Sequence, residues 1–310
     1  TLSVVGVVTS HFVTRPPAAS PNQPIPLFLW ANLWTYFQLF RKDRWLFLTM
    51  LGNAYFWFIG QFVMANIFEL GKTFNMPAMN SVLLAALALG IGLGSVSAGF
   101  LSRGKIEVGL IPLGGLGVAG MSVVLALPGY GIWTALAYLF ALGFFAGLYD
   151  VPLQSVLQDR SPSHVRGGMI AVSNFVSFTG MFLAAGLFLL LFTILDIPPR
   201  ALFLVSAVLT LAVSVYICAL LPVFFLRFLL WVVGNTFYRI TVMGSGNVPQ
   251  RNGALLVANH TSFVDALVLT ASIGRPIRFL MAQEIFDNPW IRPIAKVMHA
   301  IPVSPNEGPR

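Results

Sequence analysis

The chain has 310 residues, of which 57% are hydrophobic and only 9% charged, with a mean hydropathy of +0.83. That balance excludes an ordinary soluble globular domain and points to a protein that lies mostly in lipid. The net charge of +8 reads mostly as a topology signal plus an attraction to anionic head groups, and not as a nucleic-acid footprint.

Residues 1–13 read as the end of a preceding transmembrane helix. With no initiator Met and no signal peptide, the sequence is expected to be a piece of a longer protein. Residues 14–44 read as a linker and an interfacial segment. Arg15-Pro-Pro-Ala-Ala-Ser-Pro-Asn-Gln-Pro-Ile-Pro26 is too proline-rich for a helix, and Leu27–Phe40 carries Trp30, Trp34 and Tyr36.

A bilayer-crossing helix needs roughly 20 mostly apolar residues. Residues 45–222 offer six such stretches: Trp45–Glu69, Asn80–Leu101, Val108–Leu127, Gly131–Leu157, Gly168–Leu195 and Ala201–Leu221. Arg15, Arg41, Lys42, Arg44, Arg103, Lys105, Arg160 and Arg166 fall on one side of this zig-zag, against Lys72 and Arg200 on the other. The asymmetry puts the first group in the cytoplasm. Glycines at 90, 92 and 94, and at 114, 115, 117 and 120, allow close helix approach. Cys218, the single cysteine, reads as a small packing residue in the last span, so neither a disulfide nor a metal site is implied.

Two polar stripes interrupt the spans. Asp150, Gln154 and Gln158 recur every four residues, and Asn53 and Gln61 are eight apart. An intramembrane acid is a functional candidate because burying it unpaired is costly. The alternative is a wet acid near the interface, paired with Arg160 or Arg166.

After Pro222 the polarity rises. Residues 223–238, with Arg227, Trp231 and Tyr238 among apolar neighbours, suit a helix at the membrane surface. In residues 239–310, strands are expected at Ala254–Ala258, Ile277–Met281 and Ala300–Val303. A helix is expected over Gln283–His299, interrupted at Asn288-Pro289. This alternation suits an α/β domain. Asn259-His260-Thr261-Ser262-Phe263-Val264-Asp265 lies in a strand-to-helix turn. There a base in the turn can meet a carboxylate in the first helical turn and deprotonate a hydroxyl that attacks a carbonyl. A second reading of Asp265 stays open: Ser262-x-x-Asp265 is a capping box, which would occupy the carboxylate with backbone N–H groups.

Three stretches carry resemblances. Asn259-His260-x-x-x-x-Asp265, with Tyr238-Arg-Ile-Thr-Val-Met-Gly244, Asn247-Val-Pro249 and the approach from Gly253, resembles the first motif of the glycerolipid acyltransferases. Gly99-Phe-Leu-Ser-Arg103-Gly-Lys105-Ile-Glu107-Val-Gly109 resembles the basic loop of the major facilitator superfamily, without its usual acidic residue. Gly147-Leu-Tyr-Asp150-Val-Pro-Leu-Gln154-Ser-Val-Leu-Gln158 best matches that superfamily's lysophospholipid transporter branch.

The resemblances imply an α-helical membrane protein: the six-helix C-terminal half of a transporter, followed by the first half of an α/β acyltransferase domain. They imply His260 as the base and Asp265 as its support, with Asn53, Gln61, Asp150 and Gln154 bordering a transport cavity. Asn259 and Ser262 are expected near the substrate. Arg275 and Arg278 are possible phosphate ligands or, alternatively, solvated or head-group-facing charges. The family's later Glu-Gly-Arg motif is expected beyond Arg310, Glu307-Gly308-Pro309-Arg310 being a coincidence. Ser304-Pro305 stands where many relatives carry an arginine.

As a whole the chain resembles the fused transporter–acyltransferase proteins that recover lysophosphatidylethanolamine, the 2-acylglycerophosphoethanolamine acyltransferases. The implied partners are a lysophospholipid, membrane lipids, and acyl carrier protein or CoA as the acyl thioester co-substrate, with no bound cofactor. The implied place is a bacterial-type inner membrane, with the acyltransferase part cytoplasmic. The alternative is a 1-acylglycerol-3-phosphate acyltransferase joined to an unrelated exporter. Residues 1–310 alone are expected to be inactive.

Overall fold

The computed structural model describes residues 2–12, 29–74, 77–102, 105–237, 240–244, 247–249, 252–262, 264–273 and 275–304. The linker Arg15–Pro26, Arg103 of the basic loop, Tyr238 and the stretch Glu307–Arg310 lie outside the described residues. The helices are α1 (Leu2–Ser10), α2 (Leu29–Lys42), α3 (Arg44–Thr73), α4 (Asn80–Ser102), α5 (Leu110–Ala126), α6 (Ile132–Arg160), α7 (Arg166–Leu189), α8 (Pro199–Leu220) and α9 (Pro222–Phe237). A π-helical turn, Leu190–Ile194, continues α7.

Five of the six expected spans coincide with helices long and apolar enough to cross a membrane: α3, α4, α6, α7 with its π turn, and α8. The third, expected over Val108–Leu127, forms α5, which has 17 residues. At 1.5 Å per residue that is about 26 Å, short of a hydrocarbon core of roughly 30 Å. The cause is local. Leu127 precedes Pro128 and is driven to extended backbone (φ −69, ψ 146), and Gly129 follows at φ +94.

The helices approach through backbone. Gly90 and Gly94 of α4 lie against the main chain of Phe140 and Phe144 in α6, and Gly143 and Gly147 of α6 lie against Leu87 and Ile91. These facing pairs, each four residues apart, let the two helices touch backbone to backbone. Gly114 meets the α6 backbone at Phe145 and Tyr149, whereas Gly92 and Gly120 face open space. Only part of the glycine content is therefore spent on contact.

The α2 part of the segment expected at the interface packs one face against the bundle. Phe40 of α2 is fully buried against Met50, Leu157, Met169 and Val172, while Trp34 stays exposed. Burying a phenyl ring against three helices outweighs leaving it among head groups. Asp43 then caps α3, accepting from the N–H groups of Trp45 (2.8 Å) and Leu46 (3.2 Å). The same carboxylate pairs with Arg160 at 3.2 Å, so α3 begins and α6 ends at one end of the bundle. At the opposite end Lys72 pairs with Glu69 at 2.7 Å, and Arg200 lies 4.9 Å over the Tyr130 ring.

Beyond α9 the chain forms α10 (Asp265–Ser272), β1 (Leu280–Ala282), α11 (Gln283–Phe286), α12 (Arg292–Val297) and β2 (Ile301–Val303). The strands pair in parallel, Leu280 opposite Ile301 and Ala282 opposite Val303, with the two short helices making the crossover. The helix expected over Gln283–His299 is thus split around Asn288-Pro289, as its proline requires. The strand expected at Ala254–Ala258 does not form. Leu255 and Val257 are both exposed, and the run meets no ladder partner among the described residues. Apolar content alone does not make a strand without a neighbour to accept its hydrogen bonds.

Candidate active site

Asp265 is the first residue of α10, and its N–H donates to the Ser262 carbonyl at 3.0 Å. That turn points the carboxylate back over the preceding loop. Its Oδ2 atom accepts three donors: Thr261 N–H at 2.7 Å, Ser262 N–H at 2.9 Å and the His260 ring through Nδ1 at 3.2 Å. A carboxylate only accepts, so the neutral imidazole carries its proton on Nδ1 and presents Nε2 as a lone pair. The His260 side chain is 71% exposed, so Nε2 is accessible.

One oxygen of Asp265 thus meets both the loop amides and the His260 ring. Half of the capping box is present, since Ser262 N–H donates to Asp265. The other half is not: the Ser262 hydroxyl accepts from Val264 N–H at 3.3 Å. The Ser262 and Thr261 N–H groups, and after them the His260 ring, hold the Asp265 carboxyl below the usual carboxylate range. A carboxylate fixed this way orients the imidazole and stabilises its protonated form. The imidazole can then take a proton from a hydroxyl.

Of the expected substrate contacts, Asn259 and Ser262 are exposed beside this pair, and Arg278 is exposed further along. Arg275 is engaged elsewhere. Its guanidinium donates to the carbonyls of Pro249 (2.5 Å) and Asn252 (3.0 Å), bracing the loop that leads to His260.

Inside the bundle, three of the four expected cavity residues meet. Gln154 of α6 donates to Asn53 of α3 at 2.8 Å and to Asp150 at 3.4 Å, and Asn53 donates to Ser173 (3.2 Å) and Ser177 (3.4 Å) of α7. Asn53 is fully buried between helices, and Gln61, two turns along α3, makes no hydrogen bond to this cluster among the described residues. Asp150 does not pair with Arg160 or Arg166. The first reaches Asp43, and the second donates to the Ser161 carbonyl at 3.4 Å. Ser173 and Ser177 were missed in the sequence, although their four-residue spacing is the readable signal of a polar helix face. The Ser262 amide is the donor that the capping-box spacing pointed to, whereas the Thr261 amide leaves no side-chain signature.

The family model described as Major Facilitator Superfamily matches residues 1–185, and the one described as Acyltransferase matches residues 239–310. The lysophospholipid transporter LplT of Klebsiella pneumoniae strain 342 is 30% identical over 208 residues, covering 63% of this chain and 50% of the transporter. The protein of the same name from Klebsiella pneumoniae subsp. pneumoniae is 29% identical over 204 residues, with the same coverage. A 1-acyl-sn-glycerol-3-phosphate acyltransferase of Bacillus subtilis is 32% identical over 72 residues, covering 23% of this chain and 36% of that enzyme. The chain spans half the length or less of these relatives. No solved structure matches it.

Proposed function

The chain belongs to the Major Facilitator Superfamily, and from that premise we propose that it is part of a lysophospholipid transporter joined to a glycerophospholipid acyltransferase, acting in phospholipid remodelling. Six crossings are proposed, α5 spanning with local thinning of the bilayer. The end carrying Arg41, Lys42, Arg44, Lys105, Arg160 and Arg166 faces the cytoplasm of a bacterial-type inner membrane. There His260 meets the acyl thioester of acyl carrier protein or CoA.

The observation that carries the enzymatic reading is the Asp265 carboxylate, fixed by two amides and aimed at His260. Nε2 takes the proton of the lysophospholipid hydroxyl as its oxygen bonds to the thioester carbonyl carbon. The tetrahedral adduct then expels the thiolate, which recovers the proton from the imidazolium as a free thiol. Asp265 keeps Nδ1–H in place throughout and offsets the transient positive charge.

The preferred acceptor is lysophosphatidylethanolamine, taken from the resemblance of the whole chain to the fused transporter–acyltransferases, and the relatives named for lysophospholipid transport support that class of lipid without choosing its head group. The 32% identity to the Bacillus subtilis acyltransferase favours a second acceptor, 1-acylglycerol-3-phosphate. Acylation by the full-length parent in detergent, with equal amounts of the two acceptors, separates them. Preference for the ethanolamine lipid, with uptake of the same lipid into spheroplasts, supports the first reading. Preference for the phosphomonoester without uptake supports the second.

A further inference from the structure

A cavity of about 370 Å³ lies where the transporter part meets the acyltransferase part, within the roughly 300–1,000 Å³ typical of small-molecule pockets. Its walls come from the end of α4 and the loop after it, from α9, and from the end of α10. Glu107 of the loop and Arg227 of α9 close one side with a 2.5 Å ion pair whose side chains are 19% and 11% exposed. Each thus satisfies the other, and Glu107 also accepts from Gly109 N–H at 3.3 Å.

That leaves Lys105, exposed on the same wall, as a cation without a carboxylate partner among the described residues. Phe228 and Trp231, stacked at 5.9 Å, supply the apolar side. A wall with one uncompensated positive charge beside stacked aromatic rings matches an anionic head group continued by a hydrocarbon chain. The cavity also sits on α9, which directly follows the last span. A ligand there is reached from the membrane surface.

We infer that this cavity is a relay site for a lysophospholipid, holding its phosphate near Lys105 and the start of its chain along Phe228 and Trp231. The volume takes a head group and the start of one chain, which favours a single-chain lipid over a diacyl one. Ser272, on the α10 wall, ends the helix that Asp265 begins, so cavity and acyl-transfer turn are about 10 Å apart along its axis. A lipid held here is waiting, not reacting. The inference rests on the proposed function, since it assigns that reading's substrate to a second position between the two parts.

The test uses the full-length parent, cleared of its own cysteines, of which residues 1–310 carry only Cys218. In the purified protein carrying Cys218→Ala and Ser272→Cys, the introduced thiol is alkylated by a maleimide with and without lysophosphatidylethanolamine. At ten times the Kd, alkylation slows about elevenfold (1 + [L]/Kd), and adding Lys105→Glu removes the protection. Ala271→Cys gives the same readout if the Ser272 variant does not fold. Equal protection by inorganic phosphate, or by a diacyl phospholipid, would overturn the assignment in favour of a free-anion or general lipid site. No protection in protein that still acylates lysophospholipid would overturn the relay site and leave the proposed function standing. No protection and no acylation of any lysophospholipid would overturn both.

Discussion

Nδ1 of His260 lies 3.2 Å from Oδ2 of Asp265, an oxygen that also accepts the N–H groups of Thr261 and Ser262. The carboxylate is thus oriented by backbone before it orients the ring. In the full-length parent, His260→Ala should cut acylation by about 10²–10⁴-fold, the usual worth of a general base, while leaving membrane insertion unchanged. Asp265→Asn should cripple it as well, because a neutral amide cannot stabilise an imidazolium. Turnover of Asp265→Asn within threefold of the parent in a detergent assay would reduce Asp265 to a cap.

The pH dependence of this turn has a definite sign. A carboxyl held below its ordinary value of ~3.9 by hydrogen bonds to its charged form contributes stability above that value. The contribution is lost only as pH falls through the lower, folded-state value. The Thr261 and Ser262 amide resonances should therefore titrate with a midpoint below that of an unstructured Asp peptide. A midpoint at or above the peptide's contradicts the assigned hydrogen bonds, and Asp265→Asn should abolish the titration.

Asp150 should matter for transport and not for acyl transfer. It shares a hydrogen-bonded cluster with Gln154 and Asn53 inside the bundle, whereas His260 lies beyond α9. A charged residue at mid-membrane costs about 2.5–3.5 kcal/mol on insertion scales, a penalty an inert anchor has no reason to carry. In the full-length parent, Asp150→Asn should lower uptake of labelled lysophospholipid into spheroplasts and spare acylation of lipid supplied in detergent. Loss of both activities would mean misfolding, and loss of neither would remove Asp150 from the transport path.

The α4–α6 contact makes a prediction that separates equivalent-looking glycines. A Cβ at Gly94 or Gly147 would strike main chain, and one at Gly92 would meet nothing. Gly94→Ala and Gly147→Ala should each destabilise by about 1–3 kcal/mol and lower the detergent melting temperature. Gly92→Ala should leave it level or raise it slightly. A fall with Gly92→Ala as large as that with Gly94→Ala would contradict the packing.

The Arg227–Glu107 pair should fix the acyltransferase part to the transporter part. Removing one partner of a largely buried pair costs about 3–5 kcal/mol, so Arg227→Ala or Glu107→Ala should expose α9 to proteolysis just beyond Leu221. The exchange Arg227→Glu with Glu107→Arg should restore much of the protection. Protease patterns identical to the parent in both single variants would show that the bilayer alone holds α9.

Much of this protein was legible locally. Hydrophobic length alone located five bilayer-length helices, because satisfying the backbone in lipid needs only a long apolar helix. The spacing from His260 to Asp265 located a turn that places imidazole and carboxylate together, since five residues suffice to bend back over a helix start. Tertiary structure decided what one-dimensional spacing leaves degenerate. Gln154 chose Asn53, 101 residues away, and Arg227 chose Glu107, 120 away. Arg160 chose Asp43 over Asp150, and Arg275 chose two loop carbonyls. A polar group out of water must take whichever partner the packed helices bring within about 3 Å. Which partner arrives depends on how whole helices dock, through glycines such as Gly94 and Gly147 whose sequence neighbourhoods look no different from that of Gly92.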